Sequence, residues 1–339
     1  MTRMTRNRDI AGRTAAVLCA AAALTALTGL TAAPSERPGR FVHVANLHSD
    51  TVSVVDTRSN TVVDSVPVGD GPDSAALAPD GSRLYVTNSA ADSVSVVDTR
   101  TRTVVETVGV GHEPSRVTVS PDNRNVYVAN VGAGTVSVIS NRTLAVTDTI
   151  AVGEAPLGLA VTPDGRTLYV ADAGSDSVSV IRTDSATVTG AVPVGGGPTA
   201  LVLTPDGRHL YVSNLTSDDV SVVDTRARTE TDRIPVGDQP AGIAVLPDGS
   251  RVYVADLGSD DVSVISTRSR TVTDTVAVGD GPNGLAVAPD GRTVHVSNFD
   301  SDTLSVIDTG TSRTTATIRV GDGPTGVAHR APPGGTSPR

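Results

Sequence analysis

The chain has 339 residues and a formal net charge of −10, which argues against nucleic acid and anionic membrane as partners. It contains one cysteine, no tryptophan and only seven aromatic side chains, so no disulfide framework is available and any core must be built from Val, Ala, Leu and Ile. Abundant Val and Thr favour strands over helices.

The first segment carries Arg3, Arg6, Arg8 and Arg13 and then an apolar stretch from Thr14 to Leu30 that closes on "TAAPSERPG". These are the three regions of a secretory signal, with Thr31 and Ala33 at the small-residue positions, and residues 1–33 are predicted to be removed. The apolar stretch is short of the ~20 residues needed to span a bilayer, so no stable membrane insertion is expected after cleavage. The mature protein is expected to be secreted or extracytoplasmic. It would be free of thiols, because Cys19 lies within the signal, and loss of four arginines and one aspartate takes its net charge from −10 to −13.

From residue 41 onwards one pattern recurs. A "VG" followed by proline places its glycine at Gly69, Gly111, Gly153, Gly195, Gly237, Gly279 and Gly321, always 42 residues apart. A "PD" turn keeps the same period from Pro79 to Pro289, and an Asx ends a "YV"-type run at Asn46, Asn88, Asn130, Asp172, Asn214, Asp256 and Asn298. Within one unit "GPDSAALAPDG", "SRLYVTN", "DSVSVVDTR" and "RTVVETVGVG" read as four strands separated by turn residues. Four-strand units of this length predict an all-β protein, a seven-bladed β-propeller of four-stranded antiparallel blades. The repeat region begins with strands two to four of a unit and ends, at "VGDGPTGVAHR", with a first strand. One composite blade made from both ends is therefore expected to close the ring over residues 41–329. Residues 330–339 are Pro/Gly-rich and predicted to be disordered.

The stretch "GDGPNG" at 279–284 spells the G-x-G-x-x-G fingerprint of a dinucleotide turn. A proline interrupts it, a strand rather than a helix follows, and other copies lose its glycines ("GHEPSR", "GDQPAG"). It reads instead as the crossover between blades, where Gly supplies φ freedom and Pro blocks further pairing.

The repeats "RLYVTNSAADSVSVVDTRTRTVVETVGVG" and "LGLAVTPDGRTLYVADAGSDSVSVI" resemble the YVTN β-propeller family of bacterial and archaeal extracytoplasmic proteins. The resemblance covers residues 41 to 329 and implies the propeller fold. It also implies a secreted or cell-surface setting, and kinship with the seven-bladed rings of lactonases, streptogramin lyases and amine dehydrogenase heavy subunits. A haem-attachment CxxCH and a quinone-forming Trp/Cys set are missing, which places an electron-transfer role in doubt.

Chemistry is sought where one copy departs from the others. His112 and Glu113 replace the usual Asp-Gly in one crossover, with Arg116 following, and His48 stands in another loop; base, acid and oxyanion-stabilising roles are conceivable for such a set. His43 and His295 replace the tyrosine of "YV", and His329 fills an apolar slot. These three gather near one seam and are a candidate for a metal, with the distance between second strands of neighbouring blades the condition on sharing an ion. One loop face collects carboxylates: Asp50, Asp92, Asp176, Asp218, Asp260 and Asp302 share a repeat position. Such a face could bind Ca²⁺ or steer a basic partner, or consist of turn residues alone. No other cofactor is expected. Uniform 42-residue units without long individual loops favour a non-catalytic binding or scaffold module for an unknown protein or small-molecule ligand. The alternative is a propeller hydrolase or lyase, lactonase-like or streptogramin-lyase-like, acting on a small molecule.

Overall fold

In the computed structural model the described residues are 40–329; the predicted signal and the predicted tail lie outside them. They form seven four-stranded antiparallel sheets. Blade 1 joins Phe41–Asn46, Thr51–Asp56 and Thr61–Pro67 to Pro324–His329, and blades 2 to 7 occupy 72–109, 114–151, 156–193, 198–235, 240–277 and 282–319. Inner strands neighbour one another in chain order, and Pro324–His329 sits between those of blades 7 and 2, so the ring closes through the composite blade.

The blades are stable only together. Second and third strands such as Arg83–Asn88 and Ser93–Asp98 are buried along nearly their whole length, because both faces of each sheet meet a neighbouring blade. The apolar clusters accordingly span the seams: Tyr85, Val94, Val96 and Val108 of blade 2 pack on Val117, Val126, Val128 and Ile139 of blade 3. Outer strands are mostly exposed and insert one apolar anchor each, such as Val108, Ile150 and Ile318. A bulge at the same place in every third-to-outer pairing, between Val96 and Val97 in blade 2, tightens the twist that the radial arrangement requires.

The invariant glycine of each crossover has a different task from the one expected. Gly69 does not adopt positive φ; a Cβ there would fall 2.6 Å from the Asn88 Nδ2, so glycine is needed for close approach. Left-handed φ occurs two residues later, at Gly71, Glu113, Ala155, Gly197, Gln239, Gly281 and Gly323. Three blades tolerate a side chain there at a local cost of about 1–2 kcal/mol, which explains why the copies lose this second glycine.

Beneath each crossover the Asx at the end of the second strand bonds across the hairpin. Asn88 Nδ2 donates to the Ser93 and Ser95 hydroxyls at 3.1 and 2.9 Å, and where Asp replaces Asn the direction reverses, the Ser179 hydroxyl donating to Asp172 at 2.6 Å.

Closure by Pro324–His329 makes a direct prediction. A chain ending at Gly321 leaves the hydrogen-bonding edge of Phe41–Asn46 bare and removes the buried Thr325 and Ala328. Each kcal/mol lost lowers Tm by roughly 2 °C in a domain of this size, and a loss of several kcal/mol is expected. A melting temperature within a degree or two of that of the full chain would contradict the composite blade.

Candidate functional site

The two loop faces differ because the meander alternates ends. On one face the crossover loops form an inner collar around the central channel, and the loops between second and third strands lie beside them. The six repeat-position aspartates all stand in those second-to-third loops. Each has left-handed φ, between 49° and 57°, and each offers Oδ1 to a backbone N–H of the crossover beside it: Gly71 to Asp50, Glu113 to Asp92, Gly197 to Asp176, Gln239 to Asp218, Gly281 to Asp260 and Gly323 to Asp302, at 2.8–3.0 Å. Glycine, Gly134, takes the seventh place with the same φ sign. These carboxylates thus latch the two loop types of each blade together. The collar itself carries six further exposed carboxylates: Asp70, Glu113, Glu154, Asp238, Asp280 and Asp322.

His112 belongs to one of these latches. Its Nδ1 lies 3.1 Å from Asp92 Oδ1, and the Glu113 N–H and then His112 hold the Asp92 carboxyl below its usual range. His48 sits at another junction, its ring edge-on to Phe299 with centroids 5.3 Å apart. His112 lies at the junction of blades 2 and 3 and His48 at that of blades 7 and 1, so the fold does not bring the expected base, acid and partner together at one point.

The channel offers more. A cavity of about 150 Å³ is lined by the inner strands of all seven blades, and the one charged side chain on its wall is Arg116, in the inner strand Pro114–Val119. Arg116 is the third residue of that strand; the corresponding positions hold Ser74, Gly158, Ala200, Gly242, Gly284 and Gly326. One residue closer to the collar, in the adjacent blade, stands Asp73, where other copies have Ser115, Leu157, Thr199, Ala241, Asn283 and Thr325. Asp73 is a strand residue, half-buried at the inner ring. Burial pushes its carboxyl above the usual range, and the charge of Arg116 pulls it partly back. Among the described residues neither side chain makes a hydrogen bond or a close ion pair. Aligning the inner strands of the seven copies would have revealed both, because a charge appears once in each of those columns.

Elsewhere Thr325, Thr199 and Ser115 reach to carbonyls of the next inner strand, so that uncharged members of the Asp73 column stitch blade to blade. At Gly242 and Gly284 a Cβ would strike the neighbouring Asn283 and Thr325 carbonyl oxygens at 2.3 and 2.2 Å. Gly158 and Gly326 are equally constrained, a Cβ there falling 2.9 and 2.6 Å from backbone atoms of the next inner strand.

The three seam histidines gather at one seam, as their places in the first and last units imply. His329 Nε2 lies 2.8 Å from His295 Nδ1, and His43 is near enough to disfavour charge on His329. The composite strand brings His329 between the two second strands. Burial pushes the His43 and His295 imidazoles down to about 4. Among the described residues no three such ligands are arranged to hold a metal ion.

The sequence matches the family described as lactonase, 7-bladed beta-propeller, over residues 32–189, 143–232, 186–271 and 223–323. The chain belongs to this lactonase family. No curated protein matches it. Among solved structures it is similar to the Kuenenia stuttgartiensis hydrazine synthase, with 25% identity and a TM-score of 0.73 over 83% of this chain and 98% of that one. A candidate 6-phosphogluconolactonase from Bacteroides uniformis aligns at 19% identity and a TM-score of 0.74, over 85% and 99%. A functionally unknown protein from Desulfotomaculum acetoxidans aligns at 18% and 0.77, over 86% and 99%. The last two likenesses speak to fold alone.

One buried acid in this lactonase-family ring departs from its siblings in a testable way. Asp256 faces Asp261 across the hairpin of blade 6, and burial, reinforced by Asp261, pushes its carboxyl up to about 7. Blade 5 shows the relaxed version: Asn214 Nδ2 donates to Asp219 Oδ1 at 2.7 Å. A folded-state value raised above 3.8 means that stability present at low pH is lost as pH rises from about 4 to 7. Asp256→Asn should therefore stabilise by roughly 1–3 kcal/mol at pH 8 and much less at pH 4. Melting curves across that range check it, and a pH-independent shift would contradict the paired-acid account.

Proposed function

We propose that the protein hydrolyses a small, uncharged lactone at the collar end of the channel. The observation that carries this reading is the pair of opposite, unpaired charges, Asp73 and Arg116, on an inner ring that is otherwise uncharged at those positions. A water deprotonated by Asp73 attacks the ring carbonyl, Arg116 stabilises the oxyanion, and collapse expels the ring oxygen, which takes up a proton to leave an open hydroxy acid. Membership of the lactonase family supports this choice over a scaffold.

The substrate's charge is inferred from the collar. Six exposed carboxylates ring the entrance against one cation on the channel wall, and repulsion over a screening length of ~8 Å opposes a dianion such as a phosphorylated lactone. Within the family we place the chain among the YVTN-type repeat proteins, exported by its N-terminal signal. The acidic face then serves the mature protein as a site for cations, Ca²⁺ included, or for a basic partner.

The decisive experiment follows release of hydroxy acid from neutral γ- and δ-lactones and from 6-phosphogluconolactone. Neutral lactones should be hydrolysed. Arg116→Ala should lower kcat/KM by about 10²–10³ and Asp73→Asn by about 10²–10⁴, while His112→Ala stays within about twofold. Preference for the phosphorylated substrate would overturn the charge argument, and loss of turnover in His112→Ala alone would move the site to the loops. A second reading, a ligand-binding module without turnover, is favoured by the uniform 42-residue units. It predicts lactone or carboxylate binding that Arg116→Ala abolishes, with no product formed.

A further inference from the structure

We propose that blade 1 is an acid-released clasp, in which the neutral imidazoles of His43, His295 and His329 hold the closing strand Pro324–His329 in the ring and protonation ejects it. This strand differs from the six other inner strands in joining its blade without a chain connection: it is held to Phe41–Asn46 by its ladder, by packing and by the Thr325 hydroxyl, which donates to the Ala45 carbonyl. The three histidines gather at that strand. His329 is its last residue and is paired with Val42, His43 is paired with Ala328, and His295 comes from the second strand of blade 7.

The siblings show that histidine is not needed for the fold at these positions. Tyr85, Tyr127, Tyr169, Tyr211 and Tyr253 occupy the place of His43 and His295, and Leu77, Val119, Val161, Leu203, Val245 and Val287 that of His329. The geometry works for neutral rings only. The 2.8 Å contact between His329 Nε2 and His295 Nδ1 requires one nitrogen to donate and the other to accept, which two imidazolium rings cannot do. The Nδ1 atoms of His43 and His329 are buried without a hydrogen-bond partner, so a proton added at either would have no acceptor.

The charged surroundings offer little relief. Arg102, from the adjacent blade, adds positive potential at His43, and His43 and His295 both oppose charge on His329; in the opposite sense act only the Ala328 backbone, on His43, and Asp290, on His295. Burial is the largest influence on all three and lowers each. Because the folded values lie below that of a free imidazole, the clasp is fully closed above about pH 6.5 and weakens as pH falls toward 4.

The test is amide hydrogen exchange on the full chain from pH 7.5 to 4.5, corrected for intrinsic rates, comparing residues 324–329 with the inner strand of blade 5, residues 198–203. The opening constant of the closing strand should rise by up to about tenfold per pH unit for each histidine that titrates, while blade 5 remains protected. His329→Val and His295→Tyr install sibling residues, and each should flatten that dependence. Parallel loss of protection in both strands, or variants that keep the wild-type slope, would overturn the clasp. Should a variant fail to fold, the comparison of the two strands within the unaltered protein still decides.

Discussion

Every level of this structure depends on the burial of both faces of each sheet by its neighbours. A lone four-stranded meander of this composition would expose two apolar faces, since its second and third strands carry Val, Leu, Ile and Tyr on both sides. Stacking one blade on the next buries one face and leaves another, as in any repeat protein. Bending the row into a ring removes the last exposed face, and with it the need for capping repeats. The free ends are joined by backbone pairing between Phe41–Asn46 and Pro324–His329, so the cooperativity of all seven seams rests on one non-covalent ladder.

That constraint also explains which positions were free to vary. Residues inside the seams must be apolar and of matched size, the crossover glycine must leave room for the Asx beneath it, and the loop aspartate must accept left-handed φ while taking a neighbouring N–H. A copy can depart from its siblings at little cost only where the side chain faces the channel or solvent. Arg116, on the cavity wall, occupies such a place. Arg116 lines the cavity at a position where four other blades have glycine, and each of those glycines lies against a neighbouring strand. The seam histidines are the exception, since they lie within a buried interface, and the result is a set of polar groups whose bonding depends on their remaining neutral.

The acidic collar and the channel form one electrostatic unit. Carboxylates at the entrance disfavour anions in bulk water, while the single guanidinium on the cavity wall would, in the hydrolysis proposed above, meet the negative charge that develops during attack on an ester carbonyl. A site that repels anionic substrates and stabilises an anionic transition state discriminates in the direction catalysis requires.

By itself the sequence determined the architecture: the 42-residue period, the strand count per unit and the incomplete units at both ends of the repeat region leave few arrangements other than a closed seven-bladed ring. It also separated the two loop faces, because alternation in a meander is a matter of counting. The reason is that strand periodicity and turn chemistry are local, and seven copies repeat the same local signal. The tertiary structure decided what lay between copies. It brought Asp73 beside Arg116 across adjacent blades, kept His48 apart from His112, and set His329 against His295, because these relations join residues from different sheets. It also decided that the crossover glycine serves close approach, since a Cβ clash with the Asn of the second strand becomes visible only once the two segments are stacked.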